Sequence, residues 1–245
     1  MPDLQYSDAG LARFYDAFYP SGSRDDFLFY LPMVMSARAV LDVGCGTGAL
    51  LIAARQAGHR GRLCGLDPAT GMLDQARRHG GIEWLLGDAA SVSFDDEFDL
   101  VTMTGHAFQA LVSDEEIESV LTTVRDALTE DGVFAFETRN PTAREWEHWS
   151  EERVEGVTDD SGTTVVMRHR VDSVGSDRVS FTTTFWSPSW ESDKVSRSTL
   201  RFLDREMLLA RLDAARLQVV EQFGDWDRSS LTRASPEIIT LAKRA

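Results

Sequence analysis

Short apolar runs alternate with amphipathic segments between residues 39 and 138 of the chain. Runs rich in β-branched residues predict buried strands, and apolar residues spaced three or four positions apart predict helices. The predicted strands are "AVLDV", "RLCGLD", "IEWLLGD", "FDLVTMTG" and "VFAFET", and the predicted helices are "GALLIAARQAG", "PATGMLDQARRHG" and "SDEEIESVLTTVRDALTEDG". Strands that alternate with helices over short connections predict an α/β fold with βαβ units around a parallel sheet.

The alternation stops near residue 150. Up to residue 203 the chain has β-branched, alternating segments joined by the turns "DDSG" and "VGSD", which predicts an inserted antiparallel hairpin or meander. Helical spacing returns in "DREMLLARLDAARL", where Asp204 is the predicted N-cap, and the strands "QVVEQFG" and "EIITLAKR" follow.

These changes of pattern divide the chain into four predicted segments. They are an N-terminal helical cap (1–36), an α/β core (37–145), an antiparallel β insertion (146–203), and a C-terminal helix with two strands that complete the core sheet (204–245). The first segment contains "FYDAFYP" and "DDFLFYLP", which predict helices, the second of them ending at Pro32. These helices form either a cap on the core or a lid over a pocket.

Composition narrows the classes of partner. The formal net charge of the 245 residues is −15, and an acidic surface repels phosphate backbones, so we expect no nucleic-acid partner. No apolar run approaches the ~20 residues of a spanning helix. The start of the chain lacks a basic segment followed by an apolar one, the mark of a secretory signal. Two cysteines, Cys45 and Cys64, do not suggest a disulfide framework. We therefore expect a cytoplasmic protein with no membrane partner.

The stretch "VLDVGCGTG" places Gly44, Gly46 and Gly48 between a predicted strand and a predicted helix. Such a turn lets backbone N–H groups face a ligand at a helix N-terminus. The spacing excludes the triphosphate pattern G-x-x-x-x-G-K-[ST], but the dinucleotide pattern G-x-G-x-x-G, with Ala49 in its last place, stays open. Asp42 lies two residues before the first glycine, and its negative charge favours the ammonium group of a methionine moiety over a pyrophosphate.

Four stretches together resemble the class I S-adenosylmethionine-dependent methyltransferases: "VLDVGCGTG", "CGLDPATGMLDQAR", "LLGDAA" and "FDLVTMTGHAFQAL". The similarity is to the small-molecule branch that carries an antiparallel β insertion, and it covers about residues 35–140, with weaker similarity elsewhere. It implies a Rossmann-like methyltransferase fold: a seven-stranded, mostly parallel sheet with helices on both faces, plus an inserted β lid. It also implies S-adenosylmethionine as the cofactor, S-adenosylhomocysteine as the product, and no metal.

The resemblance implies which residues bind the cofactor. Backbone groups of Gly44, Cys45 and Gly46 would hold the methionine portion, with Asp42 near its amino group. Asp67 follows the second predicted strand and would accept hydrogen bonds from the ribose hydroxyls, although it could instead cap the next helix.

The resemblance also implies residues that contact the adenine and the methionine end of S-adenosylmethionine, although some of these residue types have other common roles. Pro68 and Met72 would pack on the adenine, and Asp88 would accept from its amino group beside the Ala89 N–H. Alone, Met72 could be a core residue and Asp88 a turn residue. Thr104 completes the predicted cofactor-binding set, and the candidates to close over the methionine end are Tyr15, Tyr19 and Tyr30.

The methyl acceptor should lie after the fourth strand, at "TGHAFQAL". His106 is the predicted catalytic residue, as a base or as a hydrogen bonder that orients the acceptor. A base is needed only when the acceptor must lose a proton, so catalysis by positioning alone is the alternative. Arg139 and Asn140, in "ETRNP", could also contact the acceptor, although a role in a turn is favoured. The chain lacks the Asn-Pro-Pro-Tyr-type motif of adenine and glutamine-amide methylases after this strand.

Aromatic and basic residues cluster in and before the insertion. Over the site they would form an apolar pocket for an organic acceptor, and on an exposed sheet they would form the seam of a homodimer. They are Trp146, His148, Trp149, Arg168, His169, Arg170, Trp186 and Trp190.

The leading hypothesis is a methyltransferase that moves a methyl group to an N or O atom of a small molecule by in-line displacement. An S-adenosylmethionine-binding protein with a regulatory or non-methylating role is the alternative. An RNA or protein methyltransferase is disfavoured by charge, and a nicotinamide-dependent oxidoreductase is disfavoured by Asp42.

Overall fold

Two separate sheets contain all the strands in the part of the chain that the computed structural model describes, which is residues 2–20, 25–159 and 161–245. The seven-stranded sheet has the order β10-β11-β5-β4-β1-β2-β3, and the second sheet has the order β6-β7-β8-β9. The strands are β1 (Ala39–Val43), β2 (Arg62–Asp67), β3 (Glu83–Leu86), β4 (Phe98–Met103), β5 (Leu128–Arg139), β6 (Val154–Thr158), β7 (Thr164–Val174), β8 (Arg178–Trp186), β9 (Lys194–Arg201), β10 (Leu217–Phe223) and β11 (Glu237–Arg244).

Strands β1 to β5 run parallel, and β11 enters between β5 and β10 antiparallel to both. The predicted fold class, a mostly parallel seven-stranded sheet with an antiparallel β insertion, is therefore confirmed. Because β11 runs against β5, its first residue lies at the edge where the parallel strands end: Glu237 pairs with Arg139.

Helices cover both faces of this sheet, as a parallel sheet requires. Side chains of α4 and α5 pack on one face, around Tyr30, Leu51 and Val40, and those of α7 and α8 pack on the other, around Leu121, Leu212 and Phe134. The helices are α1 (Leu4–Ser7), α2 (Ala9–Ala12), α3 (Tyr15–Phe18), α4 (Asp25–Ser36), α5 (Ala49–Gln56), α6 (Thr70–Ala76), α7 (Asp114–Ala127) and α8 (Arg205–Ala214). Asp204 accepts from Met207 N and is the N-cap of α8, as predicted.

Two element ends differ from the sequence-based expectation. Helix α4 does not stop at Pro32 but continues to Ser36, because Val34 in its last turn is fully buried against the core. The helix predicted over "SDEEIESVLTTVRDALTEDG" ends at Ala127, since the buried Leu128 already pairs with Phe98 as the first residue of β5. In both cases burial of an apolar side chain overrides the local signal to stop or to continue.

The short N-terminal helices lie between α6 and the second sheet. Leu11 and Phe14 pack on Val165, Met167 and Phe185 of that sheet. On the other side the fit is tight, because a Cβ on Gly71 of α6 would lie 2.7 Å from the carbonyl oxygen of Tyr6. The N-terminal helices thus join the second sheet to the main one. Within the described residues, no helix has both the length and the hydropathy needed to cross a bilayer.

Candidate functional site

The ends of β1, β2, β3 and β4 lie side by side at one edge of the main sheet. Sequence order reverses between β1 and β4, and ligands in open α/β sheets bind at such a switch point, outside the carboxyl ends of the strands. The loop "GCGTG" leaves β1 at this place.

The glycine loop is fastened to the end of β2. Gly44 N and Cys45 N donate to the carbonyl oxygen of Leu66 over 2.7 and 3.1 Å, and Gly46 N donates to Asp67 Oδ2 over 2.8 Å. The second oxygen of Asp67 accepts from Ala69 N over 2.8 Å. Burial raises the pKa of this carboxyl. Asp67 therefore supports both the loop and the start of α6. This position is compatible with both predicted roles, binding of the ribose hydroxyls and capping of the helix.

Two of the loop glycines meet different needs. A Cβ on Gly48 (φ +77°) would lie 2.2 Å from the ring of Trp84, so this glycine makes room for a tryptophan of the protein itself. A Cβ on Gly46 (φ +57°) would meet no atom within 4 Å. Gly46 therefore presents bare backbone to open space, which is the arrangement that a closely bound ligand requires.

The carboxylates predicted at the strand ends are present there. Asp42 is buried, and its Oδ1 accepts from Thr102 Oγ1 over 2.7 Å, which links β1 to β4. Asp88 follows β3, is exposed, and does not cap the short turn that it precedes. Thr104 is half-buried after β4. Together with Asp67 at the end of β2, this places acceptor groups at the ends of the four neighbouring strands β4, β1, β2 and β3.

The residues predicted to hold the adenine lie beside these carboxylates. Pro68 is exposed directly after β2, whereas Met72 is buried with Ala69 and Ala12. Ala89 is buried, and its carbonyl oxygen accepts from Thr123 Oγ1 over 2.8 Å. The contribution of each of these residues to cofactor binding stays a prediction.

A row of three tyrosines lies next to Met72. The ring centroids of Tyr6 and Tyr15 are 6.1 Å apart, and those of Tyr15 and Tyr19 are 4.9 Å apart. Asp16, beside this row, accepts a 2.6 Å hydrogen bond from Thr47 Oγ1 of the glycine loop. The predicted Tyr15 thus lies close to the loop.

Tyr30 lies elsewhere. It is fully buried against Phe29 and Trp226, and its hydroxyl donates to Glu137 Oε2 over 2.6 Å. Through its hydrogen bond to Glu137, Tyr30 belongs to the group around His106 and not to the tyrosine row. The roles predicted for Tyr15 and Tyr30 toward the cofactor stay predictions.

His106 connects two glutamates. It has a left-handed backbone (φ 60°), its N–H donates to Glu137 Oε1 over 2.7 Å, and its Nε2 lies 3.0 Å from both oxygens of Glu237. Burial, assisted by the positive charge of Arg139, lowers the pKa of His106 to about 4. Burial raises the pKa of Glu237 to about 8 and raises that of Glu137 as well. A neutral imidazole beside two buried carboxyl groups can accept a proton and hold a cation.

The stretch "ETRNP" contributes two different kinds of residue. Arg139 Nη1 donates to Gln109 Oε1 over 3.2 Å, its Nε lies 2.6 Å from Glu145 Oε2, and its Cζ lies 5.5 Å from the centroid of the Trp149 ring. Asn140 instead accepts from Thr142 N over 3.2 Å and donates to the carbonyl oxygen of Ser235 over 2.8 Å. Asn140 therefore has the turn role that was favoured, whereas Arg139 lies among the site residues.

The aromatic residues of the insertion divide between two faces of the second sheet. Trp149 packs on Phe181 with centroids 5.1 Å apart, and His169 Nδ1 lies 3.0 Å from Thr183 Oγ1 on the inner face. Trp186 is half-exposed on the outer face, and Arg168 and Arg170 are exposed there.

Sequence analysis missed Glu137 and Glu237 as site residues. Glu137 stands within "ETRNP", and the signal that identified Asp42, an acid at the end of an apolar strand, applies to it as well. Glu237 begins its strand, so its presence at this edge depends on the antiparallel direction of β11.

Part of the chain is similar in sequence to known methyltransferases. A family model described as "Methyltransferase domain" matches residues 40–132. A cypemycin N-terminal methyltransferase from a Streptomyces species is 32% identical over 110 residues, and the match spans 44% of this chain and 44% of that relative.

Solved structures share the fold over nearly the whole chain. The CcbJ methyltransferase from Streptomyces caelestis has a TM-score of 0.76 at 20% identity and covers 98% of both chains. CalS10, an amino pentose methyltransferase from Micromonospora echinaspora solved with S-adenosylmethionine bound, has a TM-score of 0.67 at 23% identity and covers 94% of this chain and 96% of that chain. Residues 40–132 thus match a methyltransferase domain, and nearly the whole chain shares the fold of solved methyltransferase structures, one of which holds S-adenosylmethionine.

Proposed function

We propose that this protein transfers a methyl group from S-adenosylmethionine to an amine nitrogen of a small molecule. The observation that carries the proposal is the position of His106 between Glu137 and Glu237, beside the end of β4. The names of two similar proteins, an N-terminal methyltransferase and an amino pentose methyltransferase, support nitrogen as the acceptor atom.

The glycine loop and strand ends fit the cofactor. When bound, S-adenosylmethionine supplies an electrophilic methyl group on its sulfonium. Gly46 leaves its backbone open for the methionine portion, and Asp42 offers negative charge nearby. Asp67 would exchange its present N–H partners for ribose hydroxyls, and the exposed Asp88 would accept from the adenine amino group.

The acidic group around His106 suits a cationic acceptor. An amine near neutral pH is mostly an ammonium ion, and it must lose a proton before its lone pair can attack the methyl carbon. Oxygen atoms of Glu137 and Glu237 can accept hydrogen bonds from the ammonium group, and the imidazole of His106 is a base within the same group. Holding the amine in line then contributes by orientation.

The pair of His106 and Glu237 holds one proton over a wide range of pH. Below about pH 4 both groups are protonated, and above about pH 8 both have lost their protons. In between, a single proton is shared over 3.0 Å, whichever of the two groups carries it. To accept a proton from the acceptor near neutral pH, the pair must first release its own, because a second proton binds only near pH 4.

The proton held by this pair predicts how stability depends on pH. The unfolded chain, with ordinary values of 6.5 for the histidine and 4.5 for the glutamate, also holds one proton between pH 4.5 and 6.5 but none above. The folded pair keeps its proton up to about pH 8, so its contribution to the free energy of unfolding falls between pH 6.5 and 8. The fall is about 1.4 kcal/mol per pH unit.

Denaturant unfolding at several pH values tests this expectation. Glu237→Gln removes the titrating carboxyl and should flatten the slope between pH 6.5 and 8, whereas Glu221→Gln, on the exposed side of β10, should keep the slope. An unchanged slope in Glu237→Gln would show that the proton is held elsewhere.

Asp67 provides the test of the cofactor site. Asp67→Ala should weaken S-adenosylhomocysteine binding about tenfold or more, because hydrogen bonds to a charged group contribute about 1.5–3 kcal/mol. Calorimetry measures the affinity for S-adenosylhomocysteine, with Asp74→Ala on the exposed side of α6 as the matched control. NADH is titrated separately as the alternative ligand. Unchanged affinity in Asp67→Ala would leave Asp67 a support of the loop alone, and tight NADH binding without S-adenosylhomocysteine binding would contradict the cofactor itself.

Transfer of a labelled methyl group to a panel of small amines, with the matching alcohols alongside, tests the proposed reaction. We expect label on amines, and we expect His106→Gln to lower kcat by about 10²–10⁴-fold with S-adenosylhomocysteine affinity retained. His79→Gln, an exposed position after α6, is the control. Label on alcohols only would place the acceptor at oxygen, and binding of the cofactor without any transfer would favour the regulatory alternative.

We also propose that the second sheet, within the insertion 146–203, joins two copies of the chain. Its outer face exposes Val154, Trp186 and Val195 to 59%, 49% and 39%, and large apolar residues exposed on one face favour association. Sedimentation should show a dimer that Trp186→Ser weakens and that Val220→Ser, exposed on β10, leaves intact. A monomer at all concentrations would contradict the proposal.

A further inference from the structure

Arg139 lies next to the proposed proton-accepting pair. It is the last residue of β5, and its register partner across the antiparallel pair is Glu237, the residue that contacts His106. Directly opposed residues point to the same face, with Cβ atoms about 5 Å apart. The charge of Arg139 is close enough to affect the pKa of Tyr6, Tyr19, His106 and Glu237. Arg139 is therefore near both the tyrosine row and the His106 group.

Only one side of this guanidinium is hydrogen-bonded. Nη1 donates to Gln109 Oε1, and Gln109 is itself held because its amide nitrogen donates to the carbonyl oxygen of Arg201 over 3.1 Å. Nε is buried without a hydrogen bond, and Nη2 makes none to any residue in the described part of the chain. The Nε–Nη2 edge, which binds carboxylates and phosphates through two parallel hydrogen bonds, therefore has an ion pair at Nε but neither of those two hydrogen bonds.

Two neighbours show what this edge is suited to bind. The ring of Trp149 lies 5.5 Å from Cζ and limits the directions in which the guanidinium plane can turn. A carboxylate oxygen of Glu145 already lies 2.6 Å from Nε, although it forms no hydrogen bond there. The Glu145 side chain is 46% exposed, so it can move away when another oxyanion arrives.

We propose that the Nε–Nη2 edge of Arg139 binds an oxyanion of the methyl acceptor, a carboxylate or a phosphate. This inference rests on the proposed amine methylation for the other end of the acceptor. Because Arg139 and Glu237 are direct cross-strand partners, the amine and the oxyanion are separated by only a few bonds. The acceptor is then a compact zwitterion of the amino-acid or aminoalkyl-phosphate class, with its amine at the His106 group and its oxyanion at Arg139.

Oxyanion binding can be measured without turnover. Trifluoroacetate, a carboxylate that stays ionised at the pH where His106 titrates, and inorganic phosphate are titrated separately into the full chain saturated with S-adenosylhomocysteine, with chloride at matched ionic strength as the blank. The readout is the pKa of His106 from NMR of its ring, because the charge of Arg139 lowers that pKa and a bound anion offsets the charge. Whichever of the two anions binds more tightly indicates whether the acceptor carries a carboxylate or a phosphate.

We expect the anion to raise the pKa of His106 in a saturable way in the wild type. Arg139→Gln should weaken anion binding at least tenfold, and Arg139→Lys should recover part of it, because it keeps the charge but not the two-donor edge. Arg144→Gln, at an exposed arginine five residues along, should bind as the wild type does. Affinity for S-adenosylhomocysteine should be the same in all four proteins, which confirms that each is folded. Equal anion binding by Arg139→Gln and the wild type, or no saturable binding up to about 0.1 M, would overturn the proposal.

A second measurement separates this inference from the proposed function. Labelled methyl transfer to β-alanine is compared with transfer to propylamine, which has the same chain and no carboxylate. We expect kcat/KM to be at least tenfold higher for β-alanine, with the difference lost in Arg139→Gln. Equal transfer to both amines would uphold amine methylation and reject the oxyanion site. Anion binding at Arg139 without transfer to either amine would uphold the oxyanion site and reject amine methylation.

Discussion

The antiparallel pairing of β11 with β5 is the constraint on which the acceptor side of the site depends. In the parallel part of the sheet, residues reach the functional edge at the carboxyl ends of their strands. β11 runs in the opposite direction, so it delivers its first residue there, and Glu237 meets both Arg139 and His106. A parallel β11 would have placed its basic end, with Lys243 and Arg244, at this edge instead.

Burial of several ionisable groups at one edge has an energetic cost, and the structure offsets much of it locally. Glu137 is fully buried, but its two oxygens accept from the Tyr30 hydroxyl and the His106 N–H. Burial raises the pKa of both glutamates and lowers that of His106, so fewer charges have to be held away from water. A site of this kind is less stable than an apolar one and is poised to change its protonation near neutral pH.

The cofactor side of the site could be predicted from sequence to a large extent, because its signals are local. Asp42, Gly46 and Asp67 each lie within a few residues of a recognisable strand end. The acceptor side depends on contacts between residues far apart in the chain. The bond between Tyr30 and Glu137 joins residues 107 positions apart, and that between His106 and Glu237 joins residues 131 positions apart. Periodicity specifies neither strand direction nor the orientation of such side chains.

The fit between Gly48 and Trp84 also changes how the glycine loop should be compared with its relatives. A side chain at position 48 is excluded by the ring of Trp84, and the same ring lies 2.6 Å from where a Cβ on Gly65 would be. One tryptophan therefore imposes glycine at two positions in two different strand–loop segments. A small residue at position 84 would remove only part of each constraint, because Gly48 also has a left-handed backbone (φ +77°) and a Cβ on Gly65 would also lie 2.8 Å from Cys45 Sγ. The ring of Trp84, the sulfur of Cys45 and the two glycines therefore form one packed unit, separate from Gly46, which faces open space.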